Sequence, residues 1–244
     1  MRPVLWALLV FVVCLPLAFV LYLVVAARYP GMDGFTAKMP APVGAAVAQI
    51  ALQRARFSKD EGKVVERAIR LDPESADAWG RRCRFDAFEG ATRDPASCRR
   101  ALHLAPSEWN YNALGAVQER AGDFCAAEDS YTRAVQKGSN DVSFLRNMAR
   151  AALRCGHPEA GIAGFEVAEG LDAKAAADPD DVEDSKTDLL EDREFLVVAY
   201  GRARQPDKAA AMCIKAHSDW KSCHCDLTDK NVKCVEGPPA TKTK

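Results

Sequence analysis

Histidine is scarce in this chain: there are 4 among 244 residues, and His103, His157, His217 and His224 are scattered rather than set in a motif. No G-x-S-x-G, H-E-x-x-H or glycine-rich phosphate loop occurs, so the common nucleophilic, zinc-hydrolytic and phosphoryl-transfer constellations lack their residues. C-x-x-C and C-x-x-C-H are also missing, which removes the usual dithiol redox motif and c-type haem attachment. Neither sign of charge is in excess: 33 Lys and Arg stand against 34 Asp and Glu, for a net charge of -1, which suggests no nucleic-acid partner. Glu119, Glu128 and Asp129 fall in helical patterns where a solvated charge is the ordinary role. The expectation is a protein without catalytic residues, cofactor or metal.

Charge is absent altogether from Val4 to Ala27, a run of 24 residues. Such a run is long enough to cross about 30 Å of hydrocarbon as a helix, and residues 1–28 are expected to be a membrane anchor. A cleaved signal peptide is the rival reading, because Val25-Ala26-Ala27 offers small residues near a cut, although signal cores run to only about 7–15 apolar residues. Residues 29–41 carry Pro30, Gly31, Gly34 and Pro40 and read as a short linker.

Helical periodicity begins after that and repeats. From Glu108 to Asp141, apolar residues at Tyr111, Leu114, Ala116 and Val117 give one amphipathic helix. Gly122-Asp123 breaks the pattern, and Ala126, Ala127, Tyr131, Ala134 and Val135 give a second helix ending near Gly138. An offset of 34 residues carries Leu114 to Met148, Gly115 to Ala149, Gly122 to Gly156, Ala127 to Gly161, Tyr131 to Phe165 and Ala134 to Ala168. The period, the Leu114-Gly115 pair, Tyr131 and Ala134 resemble the tetratricopeptide repeat.

The resemblance implies an all-α solenoid of helical hairpins over residues 42–223. Five repeats are expected, at 42–75, 76–107, 108–141, 142–175 and 190–223. Ala68 to Pro73 returns as Ala101 to Pro106, which supports the earlier pair. The last repeat is displaced by 48 residues, because Gly156-His157-Pro158-Glu159 becomes Arg204-Gln205-Pro206-Asp207. An acidic insertion at 176–189 accounts for the excess. Residues 224–244 are expected as a cysteine-containing tail with a disordered end.

Eight cysteines lie beyond the apolar run: Cys83, Cys98, Cys125, Cys155, Cys213, Cys223, Cys225 and Cys234. In antiparallel hairpins Cys83 faces Cys98 midway along its partner helix, and Cys125 at one helix start meets Cys155 at the next helix end. Both pairs are expected within disulfide reach, which places the array in an oxidising compartment, the periplasm if the source is bacterial. Buried free thiols are the alternative. For Cys213, His217, Cys223, His224, Cys225 and Cys234, two disulfides or a zinc site are both open, with disulfides preferred because no paired C-x2-C spacing occurs.

Arg146, Arg150 and Arg154 follow i, i+4, i+8 and form a stripe on one helix face. Resemblance to tetratricopeptide arrays implies that this face lines a concave peptide groove. Its expected residues are Arg84, Trp109, Asn112, Arg120, Arg146, Arg150, Arg154 and Arg202. Arginine grips carboxylates with a planar, bidentate fork, so an acidic segment or chain terminus of a partner protein is the expected ligand. The chain thus reads as a single-pass membrane-anchored scaffold with its array outside the cytoplasm. The alternatives are a structural subunit docked permanently in a larger membrane complex and, further off, a metal or redox protein using the C-terminal cysteines. The acidic insertion could itself fold across the groove.

Overall fold

The computed structural model describes residues 15–55, 60–90, 92–138, 141–177, 182–217, 222–227 and 232–237. Twelve helices and one strand pair occupy them. The chain divides into two compact units, Met1–Pro106 and Ser107–Lys244.

The first unit holds α1 (Leu15–Arg28), a 3-10 turn (Pro30–Met32), α2 (Asp33–Thr36) and two hairpins. The hairpins pair α3 (Ala41–Ala55) with α4 (Glu61–Leu71), and α5 (Ala76–Phe88) with α6 (Ala96–Leu104). Ala48, Leu52, Val65, Ala68 and Ala78 bury a shared core. The described part of the apolar run ends inside the protein: Ala26 and Ala27 pack against Val47 and Ala51. Residues 29–41 are not an extended spacer, because the 3-10 turn and α2 fold back beneath α1. Arg67, only 4% exposed, explains why. Its guanidinium donates to the Ala26 carbonyl at 2.6 Å, the Ala27 carbonyl at 2.7 Å and the Asp33 carboxylate at 2.8 Å. A cation thus caps the carbonyl end of α1, where the helix dipole favours positive charge.

The second unit contains α7 (Glu108–Ala121) with α8 (Phe124–Gln136), α9 (Val142–Cys155) with α10 (Pro158–Ala175), and α11 (Val182–Arg202) with α12 (Pro206–Ala216). Local chemistry sets the boundaries. Ser107, Asp123 and Asp141 accept backbone N–H groups at the starts of α7, α8 and α9. Gly122 and Gly156 close α7 and α9 with φ of 85° and 96°, a left-handed turn that glycine adopts without strain. Tyr131, Phe144, Phe165 and Leu196 are buried between the hairpins.

Two stretches take a form the repeat pattern did not specify. Residues 182–189 of the expected insertion form the first two turns of α11, which begins eight residues ahead of the expected repeat. In the cysteine-containing tail, β1 (Cys223–Leu227) and β2 (Val232–Glu236) pair antiparallel, with Cys225 opposite Cys234, while the end expected to be disordered lies outside the described residues. The side chains of Cys225 and Cys234 lie outside the described residues, as do 1–14, 178–181 and 238–244.

Disulfides join Cys83 to Cys98, Cys125 to Cys155 and Cys213 to Cys223, with Cα separations of 4.5, 4.9 and 6.1 Å. The first two bridges are the pairs expected from the hairpin register. The third ties α12 to β1, so within the C-terminal cluster Cys213 and Cys223 bind each other.

Candidate functional site: an arginine-lined groove

The first helices of the second unit's hairpins, α7, α9 and α11, share one face. Between them lies a pocket of about 400 Å³ lined by Glu119, Arg150, Leu153, Arg154, Phe195, Val198 and Arg202. Leu153, Phe195 and Val198 make it apolar in part, and three arginines face one glutamate across it.

Each arginine is held in place. Arg154 donates to Glu119 at 2.9 Å and lies 4.7 Å from the Phe124 ring centroid. Glu119 is positioned from behind, because the Tyr131 hydroxyl donates to its other oxygen at 3.2 Å. Burial, with the Glu119 charge adding to it, pushes the Tyr131 hydroxyl well above the usual phenol range, so it remains a donor. Arg202 donates to the Leu153 carbonyl at 2.7 Å, while Arg150 donates to Asn147 and lies 5.9 Å from the Phe195 ring. Asn147 in turn donates to the buried Asn112, so Asn112 supports the stripe from beneath rather than facing solvent.

Arg146, the first residue of the stripe, is spent internally. Its Nε donates to Asp192 at 2.9 Å, its Nη1 to Asp188 at 3.1 Å and its Nη2 to Asp172, and its side chain is 15% exposed. Glu191 stands 3.9 Å from Arg150, a weaker brake on the next residue. Asp192 is fully buried, and burial first, then hydrogen bonding to Asp172, pushes its carboxyl up to about 7 against the pull of Arg146. One guanidinium cannot neutralise three carboxylates, so the group retains a proton more readily than isolated aspartates would.

Three remaining residues are placed differently. Trp109 is 49% exposed, with its ring edge-on to Phe144 at 5.1 Å. Arg120 lies on α7 near enough for its charge to act on the Tyr131 hydroxyl. Arg84 belongs to the first unit, in a separate pocket of about 330 Å³ with Glu61, Asp77, Arg81, Phe85, Phe88 and Glu89. Phe195 and Val198 were missed from sequence, although a signal existed: the 48-residue offset carries Asn147 to Phe195 and Arg150 to Val198.

No protein family matches the chain, and no curated protein matches it. Solved structures do. A crystal structure of MamA protein aligns with a TM-score of 0.56 at 14% identity, covering 72% of this chain and 91% of that one. A second MamA structure aligns with a TM-score of 0.53 at 14% identity, over 68% and 91% of the two chains. A structure titled "YrrB: a TPR protein with an unusual peptide-binding site" aligns with a TM-score of 0.40 at 15% identity, over 64% and 93%. At such identities the likeness is one of fold. Five antiparallel helical hairpins among the described residues, the close packing of Gly115 on Tyr131 and the likeness to solved structures give this chain a tetratricopeptide-repeat-like fold.

Proposed function

We propose that the chain is a membrane-anchored interaction scaffold whose second unit holds a carboxylate-bearing segment of a partner protein. The observation that carries this reading is the groove pocket, in which Arg150, Arg154 and Arg202 surround an apolar floor. Arg154 is about half exposed and Arg150 38% exposed, so both can exchange their present partners for a ligand carboxylate. Phe195, Val198 and Leu153 offer apolar contact beside it. Arg146, held by Asp172, Asp188 and Asp192, closes that end of the groove and confines binding to the other three arginines.

The anchor rests on α1, where Leu15, Leu17, Phe19, Val20 and Leu21 are 47–63% exposed. No single described helix is long and apolar enough to cross a membrane; α1 passes that test only together with residues 30–36, across a bend of 116°. The uncharged run beginning at Val4 supplies the further length. Three disulfides support an oxidising compartment for the array.

Peptides ending in a free carboxylate after one or two acidic residues, and the same peptides amidated, test the groove by fluorescence anisotropy. The free acids are expected to bind, with a loss of about tenfold in each of Arg150→Ala and Arg154→Ala. Equal binding of acid and amide would assign the grip to side-chain carboxylates, and undiminished binding in both variants would overturn the carboxylate reading. Carbonate extraction of membranes, with maleimide tagging before and after reduction, tests the anchor and the compartment. The protein is expected in the pellet, with nearly all of the eight cysteines beyond the apolar run tagged only after reduction.

A further inference from the structure

The Cys125–Cys155 bridge differs in its surroundings from the other hairpin bridge. Cys83 and Cys98 are fully buried, whereas Cys125 is exposed and Cys155 half-buried at the mouth of the turn between α9 and α10. His157 follows two residues after Cys155, and its Nε2 lies 4.0 Å from the Cys155 Sγ. The other ring nitrogen, Nδ1, lies 2.8 Å from Glu128 Oε2, one helical turn after Cys125 on α8. The candidate ligand atoms of Glu128, Cys155 and His157 all lie within 4.8 Å of one another. Cys125 is covalently bound to that cluster.

We propose that this cluster is a zinc site kept closed by its own disulfide. Opening it takes two electrons and two protons from a dithiol, which itself becomes a disulfide; the chain gains two thiols at Cys125 and Cys155. A zinc ion then binds both sulfurs as thiolates, releasing the two protons, and takes the Nε2 of neutral His157 as its third ligand. Water fills the fourth position.

The pieces suit this chemistry for separate reasons. Cys125 lies in the first turn of α8, where the helix N-terminus stabilises a thiolate. Zinc at about 2.3 Å from sulfur and about 2.1 Å from nitrogen sets roughly 3.5 Å between ligand atoms, which the 4.0 Å contact between Cys155 and His157 nearly meets. Glu128 occupies the place of the carboxylate that holds the far N–H of a zinc-bound histidine, fixing the tautomer that leaves Nε2 free. Glu128 is half-buried and its side chain 17% exposed, so it is held rather than freely solvated. Disulfide and zinc exclude one another at this position.

Cobalt titration of the full chain in detergent micelles tests the proposal, with Cys213, Cys223, Cys225 and Cys234 changed to serine so that tail thiols do not contribute. A phosphine opens the bridges, taking up oxygen from water as phosphine oxide, and cobalt is followed by its thiolate charge-transfer band and its tetrahedral visible bands. One cobalt per reduced chain is expected, displaced by zinc, with none bound by the oxidised chain. Cys125→Ser and His157→Ala should abolish the tetrahedral spectrum, and Glu128→Gln should weaken affinity by about 10–100-fold. Undiminished binding in His157→Ala, or no uptake on reduction, overturns the site. Should the serine background fail to fold by circular dichroism, metal analysis of the reduced natural chain against its His157→Ala variant decides: one metal fewer supports the site, and equal metal overturns it.

Discussion

Gly115 determines how closely α7 and α8 approach. A Cβ built there would lie 2.6 Å from the ring of Tyr131, which is 1% exposed and cannot swing away. Gly115→Ala is therefore expected to cost about 1–3 kcal/mol through overpacking, read as a lower midpoint in urea. Arg204 presents the opposite case. It stands where the preceding hairpin has Gly156, and it has adopted a left-handed φ of 58°. A non-glycine residue in that region is strained, so Arg204→Gly should raise stability by about 0.5–1 kcal/mol, even after the entropy glycine adds to the unfolded chain. Both positions could be read in sequence from the repeat offset. Arg67 could not, because its partners at Ala26, Ala27 and Asp33 are 34–41 residues away and lie in a stretch whose prolines and glycines suggested no regular structure.

Among the elements, α11 departs furthest from its repeat. Its added turns bring Asp188 to Arg146, beside Asp192 of the repeat proper and Asp172 of α10, so one residue of the acidic stretch joins the charge cluster between α9, α10 and α11. A folded chain that holds the Asp192 proton up to about pH 7, while an unfolded aspartate releases it near pH 4, binds more protons when folded. This contribution to stability is complete below about pH 4 and is lost as the pH rises to about 7. Asp192→Asn keeps a neutral acceptor for Arg146 and cannot ionise. Relative to the natural chain, it should gain on the order of a few kcal/mol in stability between pH 4 and pH 8, measured as the difference between two series of urea titrations. A flat difference would mean that Asp192 ionises normally in the fold.

At the scale of the whole molecule, the second unit carries the groove and, among the described residues, three hairpins and two disulfides internal to itself. Residues 107–244 produced alone in an oxidising compartment are expected to give a helical circular-dichroism spectrum and one cooperative urea transition, with both disulfides formed. Periodicity, turn glycines and the 34-residue offset were enough to determine from sequence that the chain is a stack of helical hairpins, because each hairpin must bury one apolar stripe against its neighbour. The same register brought Cys83 to Cys98 and Cys125 to Cys155, since partners in adjacent antiparallel helices meet at predictable heights. Charge pairing is not periodic, and there the sequence offered only that the acidic stretch could fold across the groove, without naming which arginine it meets. Only the folded chain decided that Arg146 is spent on Asp172, Asp188 and Asp192, that Asn112 is buried beneath the stripe, and that His157 and Glu128 meet beside a disulfide. Each depends on where a flexible side chain finds an opposite charge or a lone pair in space, and a hydrophobic pattern along the chain carries no record of that.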